Sequence, residues 1–337
     1  MSTSAPAMSR SPKDRLIPLN VTGWVRFLGL ASVLVNLLLV VTGGLVRLTG
    51  SGLGCPTWPR CTNETWTNVP AMGIHGFIEF GNRTLTGAVG IVAIATFIAV
   101  WRLRGRYTDL FYIALALGLG VIVQAVVGGF SVLVKLNPWL VGVHFMLSGI
   151  MIALASIFYA RARRYSMRSV IDSERLSDRP GPDNLQRTMG FVIACLSTIV
   201  IYMGTLVTGT GPHSGDATSA RHAFNPEIVT RFHSLPVWLL LVLIVVTLLL
   251  ARKRDWAPAI SRNSLAILIV MMLQGAIGYT QYFTGSPGSL VWLHLIGAGL
   301  MIATVTFLFE RMVVLGTPAL RELAESRVDI AHANGIV

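Results

Sequence analysis

Apolar residues fall in eight long runs along this chain, separated by short polar stretches: 25–46, 78–101, 110–134, 138–160, 189–208, 229–251, 264–283 and 289–312. Each run is about 20 residues long, enough helix to cross the hydrocarbon core of a bilayer. The pattern predicts an all-α integral membrane protein with eight transmembrane helices. Polar stretches flank the set at residues 1–24 and 313–337. The first lacks a cleavable signal pattern, and the run after it is too long for a signal core, so that run reads as an anchor.

The runs repeat. Gln124, Gly128, Leu140, Val141, His144, Gly149, Met151, Ile152 and Ala153 recur 150 residues later as Gln274, Gly278, Leu290, Val291, His294, Gly299, Met301, Ile302 and Ala303. The ends of the first and fifth runs share G-x-L-V-x-x-T-G, from Gly43 and from Gly204. A fixed offset of this kind marks a duplicated unit. It predicts two pseudo-symmetric four-helix bundles, an N-half at 25–160 and a C-half at 189–312, joined by a linker at 161–188. The linker is rich in arginine and reads as solvated, resting on anionic lipid.

Composition agrees: 53% of residues are hydrophobic and 12% charged, about half the charge of a soluble domain. The net charge of +12 invites a nucleic-acid reading, but the basic residues sit in short loops between runs. With the N-terminus inside, all but six of the 27 Lys and Arg fall on the inner side; the six are Arg47, Arg60, Arg83, Lys135, Arg221 and Arg231. This bias is a topology signal and puts both termini in the cytoplasm of a cell-membrane protein.

The candidate chemistry lies at the outer ends of the helices. The loop after the first run holds Cys55 and Cys61. Outside the cell a disulfide is the first reading; a redox pair or two free thiols are the others, and spacing alone does not separate them. Cys195 reads as a small buried apolar residue. The second run opens with His75, Glu79, Asn82 and Arg83 on one helical face. Polar side chains in a membrane helix are costly and mark function or an internal ion pair. His144, His233 and His294 each fall six or seven residues past a proline, and His75 five past Pro70. Four histidines at similar depth on alternating helices, two per half and flanked by glycine, suit a planar heme between imidazoles. No Cys-x-x-Cys-His is present, so the heme would not be covalently attached.

These residues resemble the heme A synthase family across all eight runs. The matching text is G-G-L-V-R-L-T-G-S-G-L-G-C-P-x-W-P-x-C, E-F-x-N-R, the Q…G-G…N-P…H block, G-T-L-V-T-G-T-G-P-H-S-G-D, R-F-H and Q-x-x-x-G-Y-x-Q-Y…H-L-x-G-A. The Gly-rich run ends resemble the actinobacterial branch. The resemblance implies oxidation of the C8 methyl of heme O to a formyl group by successive hydroxylation, giving heme A for cytochrome oxidase. It implies a heme b cofactor on His233 and His294, a substrate heme in the N-half with His144 as one ligand, and Glu79 as the catalytic acidic residue. It also aligns the family's cysteine pair with Cys55 and Cys61. Heme O synthase and oxidase-assembly proteins are the implied partners; the electron donor is not named. Arg47 and Arg83 are candidates for the heme propionates, because an Arg fork matches a carboxylate; packing or topology is the alternative for both.

Two departures stand out. The family's first histidine, three residues after the glutamate, falls on Asn82; His75, two turns earlier on the same face, is the candidate ligand instead. The second outer loop lacks the cysteine pair that some relatives carry. Two other classes remain: a di-heme cytochrome for electron transfer, which calls for two equivalent bis-histidine sites, and a non-catalytic heme carrier or oxidase-assembly factor.

Overall fold

The computed structural model describes residues 16–166 and 182–314. Among these, eight helices are long and apolar enough to cross a membrane, and the chain is a multi-pass helical membrane protein. They are α1 (Gly23–Leu48), α2 (Gly73–Val100), α3 (Thr108–Leu133), α4 (Pro138–Tyr165), α5 (Asn184–Thr210), α6 (Pro226–Lys253), α7 (Pro258–Phe283) and α8 (Gly288–Phe309). Most outrun their apolar text because the helix continues to a capping residue. Asn137 and Asn225 cap α4 and α6 with their side chains, each followed by proline at the first helical position, and Asp183 caps α5. The expected linker is therefore shorter than 161–188: Arg161, Arg163 and Arg164 belong to α4, and Arg187 to α5. The rest of that linker, the first 15 residues and most of the C-terminal tail lie outside the described residues.

Helices α1 to α4 pack as one four-helix ring, and α5 to α8 as another; α4 and α8 meet across the middle, flanked by α1 and α5. The central seam repeats the duplication in space. A Cβ on Gly149 would meet Ile302 Cδ1 at 3.2 Å, and one on Gly299 would meet Ile152 Cδ1 at 3.8 Å. Gly149 corresponds to Gly299, and Ile152 to Ile302. The contact is thus its own partner under a half-turn, as at an isologous dimer interface. Ile152 is fully buried there among Val40, Ala303, Phe145 and Phe307.

The two ends of the molecule differ. At one end, called here the arginine end, Glu310 is buried under Arg161 (2.9 Å) and Arg164 (3.6 Å), while Arg161 and Tyr165 also reach Asp109. Glu310 opens a π-helical turn, Glu310–Val314, after α8. This network ties the two rings together at their base. At the opposite end, the disulfide end, the loops after α1 and α5 cross: Gly52 N–H donates to Gly215 O at 2.8 Å. Arg47 reaches over from α1 to the carbonyls of His213 (2.6 Å) and Thr208 (2.9 Å), and the His213 ring donates to Ser286 O.

One sequence expectation is overturned here. Cys195 is exposed on α5, facing outward from the bundle. In a membrane the outside is as apolar as the core, so a small apolar residue fits either face.

Candidate heme sites

In the C-half, His233 on α6 and His294 on α8 stand in the second turn of their helices. Their ring centroids are 6.4 Å apart, with the planes at 75°. The His233 Nδ1–H donates to Val200 O (3.1 Å), which fixes the tautomer and leaves Nε2 as the free lone pair. His294 Nδ1 is buried without a partner. Glycines make the room: a Cβ on Gly204 of α5 would lie 3.3 Å from the His233 ring, and one on Gly278 of α7 would lie 3.5 Å from His294. Two axial imidazoles on one metal, with bonds of about 2 Å, have centroids roughly 6 Å apart. The pair fits a bis-imidazole heme. Among the described residues no three His, Cys, Asp or Glu gather as a metal-ion site, so two imidazoles are what this half offers.

The N-half keeps one side of that arrangement. His144 on α4 packs against Gly128 of α3, where a Cβ would lie 2.9 Å from the ring, and its Nδ1 is buried and unpartnered. The position matching His233 is Asn82, whose Oδ1 accepts from Thr42 Oγ1 at 2.7 Å. Gly43, the counterpart of Gly204, faces open space: a Cβ there meets nothing within 4 Å. His75 is exposed at the start of α2, its Nδ1 3.0 Å from Ser51 Oγ. Among the described residues no ring contact joins His75 to His144.

Glu79 and Arg83 serve the loop that follows α1. Glu79 is buried, 5% exposed. One of its oxygens accepts from Cys55 N–H (2.5 Å) and the other from Arg83 (Nε 3.1 Å). The remaining Arg83 donors hold the carbonyls of Cys55 (3.0 Å), Thr57 (3.0 Å) and Arg60 (3.3 Å). Cys55 and Cys61 form a disulfide and are fully buried. The sequence brought these four residues to notice as two pairs, an ion pair and a disulfide; their joint anchoring of one loop was not legible, because the joining bonds run to backbone groups. The Arg47 guanidinium is turned to peptide oxygens and bridges the two halves, and that of Arg83 divides between the Glu79 carboxylate and peptide oxygens.

The eight spans and the paired rings of His233 and His294 define a helical membrane protein with two imidazoles brought together in one bundle. The COX15-CtaA family model, described as cytochrome oxidase assembly protein, matches residues 26–306, and the chain belongs to that family. It is similar to the heme A synthase of Bacillus cereus (strain 03BB102), 24% identical over 308 residues covering 87% of this chain and 94% of that protein. Heme A synthases of Bacillus anthracis and Bacillus thuringiensis subsp. konkukian match at the same identity and coverage.

Proposed function

We propose that this protein is a heme A synthase, converting the C8 methyl of heme O to a formyl group by two successive hydroxylations, each a two-electron oxidation driven by an oxidant supplied from outside the chain, to a gem-diol that loses water. The observation that carries the reading is the inequality of the two halves. An electron-transfer cytochrome calls for two matched bis-histidine sites, whereas among the described residues only the C-half pairs its imidazoles. In this reading the C-half holds the resident heme b on His233 and His294. The N-half receives heme O on His144, with its other side open beside Gly43, and His75 is the second ligand candidate.

A heme held by His233 and His294 supplies one-electron redox chemistry. The rest falls to the protein. Val200 O orients the His233 ring, and the glycines admit a flat ligand. Glu79, buried on the helix that carries His75, supplies a negative charge at the N-half to stabilise positive charge developing on the methyl or to take its proton. Arg83 is its ion-pair partner. Arg47 and Arg83 are proposed for the propionates, which would take over from the carbonyls they now hold. Both termini are proposed to be cytoplasmic, the disulfide end outside. Heme O synthase and oxidase-assembly proteins are the expected partners; the electron donor is a separate component.

The test is co-expression with a heme O source in a host lacking heme A, followed by mass analysis of extracted hemes. Heme A, with or without its hydroxylated precursor, is expected. Heme O alone, from folded protein carrying heme b, would overturn the reading.

A further inference from the structure

The two halves differ at one more matched position. Residues Gly128-Gly129 correspond to Gly278-Tyr279. Tyr279 is 52% exposed, whereas Gly129 is buried under a side chain from the disulfide loop. A Cβ at Gly129 would overlap the Trp58 indole at Cδ2, Cε2 and Nε1, so the ring lies on the helix backbone in a notch that glycine alone leaves free. The next residue along α3, Gly128, is the one seated against the His144 ring. One turn of α3 thus has an indole and an imidazole on adjacent residues.

The loop is built to hold Trp58 there. The Cys55–Cys61 disulfide closes it, with the two Cα atoms 4.5 Å apart. Arg83 binds the carbonyls of Thr57 and Arg60, on either side of Trp58, and Glu79 binds Cys55 N–H. The matching C-half segment, 211–225, has neither tryptophan nor cysteine. A merely structural lid needs no aromatic ring beside the histidine, and no glycine where the sister half has tyrosine.

We infer that Trp58 is a substrate-positioning residue, placed by the disulfide loop in the Gly129 notch to form an aromatic wall of the N-half pocket beside His144. The ligand class is a planar tetrapyrrole, which an indole recognises by stacking or edge contact. The inference rests on the N-half being the substrate half. It also gives Glu79 and Arg83 a second task, because the loop they anchor carries the wall.

The experiment uses the heme-loaded protein, with its C-half filled, titrated with zinc protoporphyrin, which accepts a single axial imidazole. Four variants are compared: Trp58→Ala, Trp58→Phe, Gly129→Tyr and His144→Ala. Retained resident heme absorbance certifies folding. Expected are about tenfold weaker porphyrin binding for Trp58→Ala and Gly129→Tyr, near-normal binding for Trp58→Phe, and loss for His144→Ala. Porphyrin should quench less indole fluorescence in Trp58→Phe than in wild type, and KM for heme O should rise in Trp58→Ala with kcat less affected. If His144→Ala loses binding while Trp58→Ala and Gly129→Tyr bind normally, the role of Trp58 is overturned and the N-half reading stands. If His144→Ala binds as wild type does, the N-half reading fails and the inference fails with it. Should Trp58→Ala not fold, Gly129→Tyr and the quenching difference in Trp58→Phe decide.

Discussion

The C-half closes on itself, and the N-half stays open. In the C-half two imidazoles face each other at 6.4 Å, each against a glycine of a neighbouring helix. In the N-half one imidazole keeps its glycine, the opposite glycine faces space, and asparagine stands where the second histidine would be. The N-half alone carries a disulfide-bound loop, clamped by a buried glutamate–arginine pair. A ligand gripped from both sides stays, while one gripped from one side can leave. On the proposed function, this difference is how a duplicated scaffold would keep a cofactor in one half and pass a substrate through the other: a matched histidine pair on one side, and an asparagine and a stapled loop on the other.

The largest effect should come from breaking the closed half. His233→Ala or His294→Ala should remove most heme b absorbance from purified protein, while His144→Ala leaves most of it in place. Equal loss from all three would erase the distinction between the halves.

Next in size is the charge on the open half. Glu79→Gln should cut heme A formation by about 10²–10³-fold at normal yield and normal resident heme, as read by mass analysis of extracted hemes. A glutamate that only anchors the loop would instead lower stability and heme content together, with heme A still forming in proportion to folded protein.

A smaller change sharpens the comparison by making the halves alike. Asn82→His offers the N-half the second imidazole its sister has. Bound heme per protein should rise toward two, and turnover should fall by about tenfold as the substrate is held from both sides. Unchanged stoichiometry would mean that the space beside Gly43 does not receive the ring.

The smallest expected effect is a pH dependence where the halves meet. His222, in the loop before α6, packs between Gly209, Trp139 and Phe224. Burial, and after it the charge of Arg47, holds its imidazole below the ordinary value of 6.5. Below pH 6.5 the unfolded chain binds a proton that the folded one resists, so the folded state loses stability as pH falls through that value. The loss levels off beneath the folded pKa. Thermal midpoints of wild type should fall more between pH 7 and pH 5.5 than those of His222→Asn; parallel curves would remove His222 from the account.

Much of this was written in the chain. Eight apolar runs gave eight helices, and the 150-residue offset matched Gly149 to Gly299; that the two sit at one seam was not legible, because the offset says nothing of which helices touch. The histidine depths followed from the prolines that start α4 and α6 and precede α8. Other features had no local signal. Glu310 meets Arg161 across 149 positions, a pairing that no periodicity encodes. Trp58 stood in plain sight between two cysteines, but its seat at Gly129 lies on another helix. Cys195 was misplaced because hydropathy does not distinguish a neighbour from a lipid. The linker was overestimated because charged residues continue a helix beyond its apolar part.

The self-matching seam has a consequence for descent. A contact that mates with its own copy is one that two separate chains, each half as long, can make between them. Such an ancestor would depend on concentration to assemble, and every change in its gene would land at both sites at once. Joining two copies end to end removes both restrictions. Matched positions can then differ, as Asn82 and His233 do, and a loop can be stapled onto one copy alone. The seam, which both copies must satisfy, holds them to one text, and the regions on either side of it are free to differ.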